Sequence, residues 1–390
     1  MKNRTIINLE ALYHNLVTID SWMKRREAMW TVVTKVLCGH SETFRALKEF
    51  GVNSMGESRL DNLEMIRQVV PEMETWYLRM PNLASIKKVC RLSDVSLNSE
   101  IRVIKALNRE AALLNKIHCI IIMIELGDLR EGILPGSLVK FYEQVFNLPN
   151  IEVMGIGANL GCMAGAVPSV DQYMQLILYK ELLELKFGRK LPMISAASSV
   201  SLPLALDDQL PKAINHFRIG EAIFLGSDLI NGGILPELRD DTVVLEAEIV
   251  EIKEKSLLSL AETSSVSPPF PIENTEDLSP GQRGYRALVN VGHLDTDVTG
   301  LRPENPNFQI AGASSDVTVV NIGDTPNGLS VGDSVRFRLN YAAMLRLMGG
   351  KYIDKVVTPS LEEFKQKHAN ENDLEILPAL DKMPTKLIEV

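Results

Sequence analysis

A lysine inside an apolar run is the first feature of this chain that suggests chemistry. In Trp30-Thr31-Val32-Val33-Thr34-Lys35-Val36-Leu37-Cys38-Gly39-His40 the residues around Lys35 are β-branched or apolar. Such a run reads as a buried strand over 31–37. Buried lysines are rare unless paired or used. Desolvation would lower the pKa of the amine and make it nucleophilic, as in a Schiff-base lysine. The plain alternative is a strand-end lysine whose stem is covered and whose head reaches water. Two other segments bring small residues to turns, Ser195-Ala196-Ala197-Ser198-Ser199 and Arg218-Ile219-Gly220-Glu221-Ala222. Small residues let backbone amides approach a phosphate, and the Ser198 and Ser199 hydroxyls can add hydrogen bonds.

The elements that must position these groups alternate regularly. Strand-like runs at 31–37, 53–55, 75–80, 94–97, 117–126, 151–158, 192–195 and 216–219 are each followed by a helical pattern or a helix-opening turn. The fold class predicted is α/β, a (β/α)8 TIM barrel, with a doubly wound open sheet as the alternative. In a barrel the reacting groups gather at the C-terminal ends of the strands. Those ends carry Lys35, Glu57, Arg79, Asn98, Arg130, Asn159, Ser198, Ser199 and Arg218. Beyond Asn231-Gly232-Gly233 the pattern changes to half-exposed alternation at 242–252, 286–291, 315–322 and 334–340. The predicted organisation is therefore a barrel over 1–228 and a smaller all-β domain over 229–358, nearly free of helix. That domain contains a long Ser-, Thr- and Pro-rich loop at 256–284, and a partly helical tail follows at 359–390.

Composition narrows the class. The 390 residues carry a net charge of −9, which argues against a nucleic-acid binder. Cys38, Cys90, Cys119 and Cys162 lack metal-type spacing and read as free thiols of a reducing compartment. No apolar run is long enough to span a bilayer, and no metal site is indicated. These features predict a cytoplasmic protein with a small-molecule partner.

A reactive lysine on the first barrel strand and a phosphate cradle on the last two together suit pyridoxal 5'-phosphate. The sequence resembles the alanine racemase superfamily, and within it the branch of amino-acid racemases that includes ornithine racemase. The segments that carry the resemblance are VTKVLCGH (33–40), ELGDLREG (125–132), GIGANLGC (155–162), SAASS (195–199), RIGEA (218–222), GHLDTDVTGL (292–301), GASSD (312–316) and VGDSVRFRLNYAAMLRLM (331–348). They appear in order over nearly the whole chain to about residue 357.

The resemblance implies a two-base amino-acid racemase. Lys35 would be the Schiff-base lysine and one base. Arg130 would reach the cofactor's phenolic oxygen and the substrate carboxylate, and Asn159 would lie on the pyridine ring. Ser198, Ser199, Gly220 and Glu221 would form the phosphate cradle, with Tyr341 added from the second domain. Arg218 would pair with the pyridine nitrogen; a guanidinium does not give up its proton, so the cofactor becomes a weaker electron sink. The resemblance also implies a head-to-tail homodimer in which a partner residue supplies the opposite-face base. Among the polar residue types of the matching turns, histidine has the reference pKa nearest neutrality, which makes His293 the leading candidate. Met123 stands where many alanine racemases have a carbamylated lysine, and no clear match exists for the usual tyrosine base. With Asp295, Ser315 and Asp316 as candidate substrate contacts, these departures predict a basic amino acid such as ornithine or lysine. The alternatives are a decarboxylase of basic amino acids and a non-catalytic pyridoxal-phosphate carrier.

Overall fold

The computed structural model describes residues 3–161, 165, 167–258, 279 and 281–369. Strand β1 (Arg4–Asn8) runs directly into helix α1 (Leu9–Arg25). Asn8 makes the junction, its Oδ1 accepting the Glu10 and Ala11 amides at 3.1 and 3.3 Å. Strands and helices then alternate: β2 (Met29–Val33), α2 (Ser41–Glu49), β3 (Ser54–Glu57), α3 (Leu60–Val69), β4 (Glu74–Tyr77), α4 (Ile86–Leu92), β5 (Val95–Asn98), α5 (Ile101–Leu113) and β6 (His118–Met123). They continue through α6 (Leu138–Phe146), β7 (Ile151–Gly157), α7 (Val170–Phe187), β8 (Met193–Ser198), α8 (Leu202–Leu206), β9 (His216–Ile219) and α9 (Glu221–Leu225).

Strands β2 to β9 pair in parallel in chain order, and β9 returns to β2 with Trp30 opposite Phe217. The barrel is closed, which settles the choice against an open sheet. Its strands are buried on both faces, as parallel strands covered by helices must be. Trp76, Val95, Leu97, Ile121, Met123 and Met193 pack into one cluster of the core. Gly157 is dictated by that packing: a Cβ there would lie 2.8 Å from Ile121 Cγ2, Met123 Sδ and Ser195 O. Met123, at the position expected to depart from the lysine pattern, is fully buried.

A second compact unit comprises residues 3–12 and Arg239–Lys367, while Tyr13–Leu238 belong to the barrel unit. Its sheet contains β10 (Val243–Ser256), β11 (Arg283–Val289), β12 (Leu301–Pro303), β13 (Gln309–Ala313), β14 (Thr318–Gly323), β15 (Ser334–Leu339) and β16 (Asp354–Thr358). The order is β12-β15-β10-β11-β14-β13, and β1 joins β10 antiparallel and β16 parallel. Val243, Leu245, Ala247 and Ile249 share one buried face of β10, and Val244 is buried on the other.

Four features differ from the sequence expectation. The opening strand, counted with the barrel, pairs in the second unit's sheet; its apolar pattern carries no information about its partner. Residues 229–238 stay with the barrel unit. A helix, α10 (Tyr341–Gly349), interrupts the nominally all-β segment, with Asn340 Oδ1 capping the Ala343 amide at 2.9 Å and Ala343, Met344, Leu347 and Met348 buried. Ser256 pairs with Arg283, so the strands reach into the expected 256–284 loop; residues 259–278 and 280 of it lie outside the described residues. The tail begins with α11 (Leu361–Ala369), and Ser360 and Glu363 cap it reciprocally, at 2.8 and 3.2 Å. Residues 370–390 lie outside the described residues. Among the described residues no helix is long and apolar enough to cross a membrane.

Candidate functional site at the barrel mouth

Strand β2 ends at Val33, and Lys35 opens a 3-10 turn, Lys35–Leu37, closed by Cys38 at φ +50°. The expected buried strand lysine is thereby corrected: Lys35 is exposed, because the chain leaves the sheet before reaching it. Its charge is felt by two carboxylates. Glu57, at the end of β3, is fully buried, and burial raises its pKa. The Ser58 and Arg59 amides at 2.7 and 3.1 Å, Asn62 Nδ2 at 3.2 Å and the Lys35 charge act in the opposite direction. Glu221 is likewise raised by burial and lowered by Lys35.

The expected cradle assembles at the ends of β8 and β9. Ser199 Oγ accepts the Gly220 amide at 3.3 Å and the Ala222 amide at 3.2 Å. Ser198 precedes it, its amide donating to Ser201 Oγ at 3.1 Å. Gly220 is required by a close approach: a Cβ would lie 2.9 Å from Val33 O. That approach links the cradle strand to the end of β2, two residues before Lys35.

Arg218 is 6% exposed. Nη1 donates to Ser195 O and Oγ at 2.5 and 2.6 Å, and Nη2 to Ala158 O and Asn159 Oδ1 at 2.9 and 2.7 Å. Burial pulls its pKa down to about 10, opposed by Glu131 and deepened by Arg130. At that value the guanidinium remains protonated at neutral pH. The four Nη protons are thus committed, and Nε–H is the donor left for a ligand. Asn159 Nδ2 in turn donates to Glu131 Oε1. Arg130, a third exposed, donates from Nε and Nη2 to the same Glu131 carboxylate. The Glu125 carboxylate holds the loop by accepting the amides of Gly127, Leu129 and Arg130 at 2.5, 3.1 and 3.2 Å.

Lys35, Ser198, Ser199, Arg218, Gly220, Glu221, Asn159 and Arg130 thus belong to loops or strand ends of one barrel face. Glu131 is the residue missed. It joins Arg130 to Asn159 and through it to Arg218; the adjacent acid in Leu129-Arg130-Glu131 was the available signal. The amide of Ala222 is a second addition.

The second unit brings its own candidates together by itself. The His293 amide donates to Ser314 O at 3.0 Å and the Leu294 amide to Ser315 O at 2.9 Å, so turns 292–296 and 314–316 are cross-linked. Gly292 is obligatory there, since a Cβ would sit 2.4 Å from Ser315 O. His293 is partly exposed. Asp295 Oδ2 accepts the Gly292 amide at 3.1 Å, and Asp316 Oδ2 accepts Ser315 Oγ at 2.6 Å, so both acids also brace their turns. Tyr341 is the first residue of α10 and is partly exposed. Cys90 and Cys119 are free thiols, and Cys38 is in no disulfide among the described residues; Cys162 lies outside them.

An accessible amine, a hydroxyl–amide cradle, an arginine with one free N–H and a second arginine beside the strand ends fit an aldehyde-bearing, phosphorylated aromatic cofactor. Comparison with known proteins agrees with this chemistry. Residues 7–228 match the family described as alanine racemase, N-terminal domain. Over 364 residues the chain is 31% identical to an ornithine racemase of Acetoanaerobium sticklandii, covering 91% of this chain and 99% of that one. Over 360 residues it is 30% identical to a lysine racemase of Thermotoga maritima, covering 92% and 99%. Its fold is similar to an alanine racemase of Bartonella henselae with covalently bound pyridoxal phosphate, at a TM-score of 0.67 and 14% identity over 92% of this chain and 99% of that one.

Proposed function

We propose that this chain, which belongs to the alanine racemase family and is an amino-acid racemase, holds pyridoxal 5'-phosphate on Lys35 and inverts a basic amino acid such as ornithine or lysine. The observation that carries the cofactor reading is the exposed Lys35 on the barrel face that also bears the Ser199–Gly220–Ala222 cradle and the spare Nε–H of Arg218. Pyridoxal phosphate, when bound, acidifies the α C–H of an attached amino acid.

The residues divide the remaining work. Lys35 Nζ removes or returns the α proton on one face. Ser198, Ser199, Gly220 and Glu221 bind the phosphate, with Tyr341 as a further hydroxyl. Arg218 would donate to the ring nitrogen of a bound cofactor and leave it unprotonated, which would favour rapid return of the proton over slower side reactions. Asn159 would lie beside the ring of a bound cofactor, and Arg130 would bind its phenolic oxygen and the substrate carboxylate. His293 serves as the opposite-face base, supplied by a second copy arranged head to tail. Asp295, Ser315 and Asp316 receive a substrate ammonium group. The full-length similarity to ornithine and lysine racemases supports a basic substrate. The free thiols of Cys90 and Cys119 support a cytoplasmic location.

Borohydride reduction with peptide mapping tests the cofactor: the label is expected on Lys35 alone. Chiral chromatography of L-ornithine, L-lysine and L-alanine incubations tests the substrate. Faster turnover of alanine, or release of carbon dioxide instead of a D-isomer, would overturn this assignment.

A further inference from the structure

Behind Arg218 a line of polar side chains crosses the barrel interior. Arg218 Nη1 donates to Ser195 Oγ at 2.6 Å, and Ser195 Oγ lies 2.8 Å from His216 Nδ1. His216 Nε2 lies 3.1 Å from Thr31 Oγ1, which lies 2.8 Å from Ser54 Oγ. Ser54 Oγ donates to Glu74 Oε1 at 3.1 Å. The line uses β9, β8, β2, β3 and β4, so it exists only because the barrel closes. Trp76 braces its middle and its end: the indole stacks on the His216 ring at 4.5 Å and 10°, and Nε1 donates to Glu74 Oε1 at 2.6 Å.

The two ends constrain the directions of the bonds between them. A guanidinium only donates, so Ser195 Oγ accepts from Arg218 and keeps its own proton available for His216 Nδ1. A carboxylate only accepts, so Ser54 gives it a proton and must accept the proton of Thr31. Thr31 Oγ1 then has only an acceptor to offer, and His216 Nε2 must be the donor. The Glu74 end places the proton on Nε2, and the Ser195 proton made available by Arg218 favours a bare Nδ1, so the ring is neutral. An imidazolium would point Nδ1–H at an oxygen already receiving Arg218. His216 is fully buried, and burial, deepened by Arg218, pulls its pKa down to about 3, in accord with that geometry.

We propose that His216 is a positioning residue, held as the neutral Nε2–H tautomer by a one-way hydrogen-bond chain from Arg218 to Glu74, and that this chain sets the orientation of Arg218 toward the cofactor ring. Thr31 and Ser54 act in it as further positioning residues. The functional half of this inference rests on the assignment of Arg218 to the ring nitrogen; the tautomer does not.

The test has two arms. Holoenzyme labelled with 15N-histidine contains six histidines, and the His216 signals are identified by their loss in His216→Gln. The expected result is an Nε2–H imidazole that does not titrate across the neutral range. An Nδ1–H imidazole or an imidazolium would overturn the chain. In the second arm Thr31→Val, close to isosteric, interrupts the chain at its centre. A lost buried hydrogen bond of ordinary strength corresponds to about a fivefold to tenfold fall in kcat. KM should change little, and the absorbance of the bound cofactor should shift. Thr31→Ser restores the hydroxyl and should restore both. Unchanged kcat and absorbance in a folded Thr31→Val enzyme would overturn the positioning role. If instead the tautomer is as expected but the protein binds no pyridoxal phosphate, the proposed function fails and the chain stands.

Discussion

Replacing Glu131 by glutamine tests whether the carboxylate next to Arg130 organises the site. Glu131 is 11% exposed and receives two donors of Arg130, which is 36% exposed, together with Asn159 Nδ2. Glutamine keeps an oxygen for Asn159 but removes the charge opposite Arg130. An exposed ion pair contributes about 0.2–1 kcal/mol, and breaking a buried one costs about 3–5 kcal/mol. With one partner buried and the other open to solvent screening, about 1–2 kcal/mol is expected. If that loss falls on the orientation of Arg130, kcat/KM drops about 5-fold to 30-fold. The contact to Asn159 remains, so cofactor content should be unchanged. The assay is initial-rate racemisation of L-ornithine or L-lysine by polarimetry, with the bound cofactor quantified by absorbance. Activity within twofold of the parent enzyme would refute the bridging role, as would a loss explained wholly by lost cofactor.

Other perturbations probe the remaining parts. Gly220→Ala puts a methyl 2.9 Å from the Val33 carbonyl oxygen; overpacking of about 1–3 kcal/mol should displace the β9–α9 turn and weaken pyridoxal-phosphate binding about tenfold, measurable by fluorescence titration. Arg218→Glu faces the Ser195 and Ala158 carbonyl oxygens with a buried acid; about 3–5 kcal/mol of destabilisation is expected in urea unfolding before any change in reaction course. His118 and His216 have folded pKa values pulled down by burial to about 3, from 6.5. In that window the unfolded chain binds the extra protons, so stability is intact above pH 6.5 and is lost as pH falls toward 3. Urea unfolding at pH 5.5 should show about 2–3 kcal/mol less stability than at pH 7 from these two groups. A flat profile over that interval would contradict their buried neutral state.

Much of the architecture was legible locally. Each parallel strand of the barrel is buried on both faces and therefore appears as a short apolar run, and helical patterns separate the runs. Strand ends of a barrel share one face, so Lys35, Ser199, Arg218 and Gly220 were legible as a group before any pairing was known. The capping box at Ser360 and Glu363 is local, and it formed as its spacing indicates. Periodicity reports which face of an element is buried, but not against what. The sheet that takes β1, the closure of β9 on β2 and the exposure of Lys35 one residue past Thr34 depend on pairings distant in sequence. The polar partners follow the same division. Glu131 meets Asn159 across 28 residues, and Thr31 meets His216 across 185. A hydrogen bond needs its donor and acceptor within about 3 Å; the pairing of β6 with β7 brings the first pair to that distance and the closure of β9 on β2 the second.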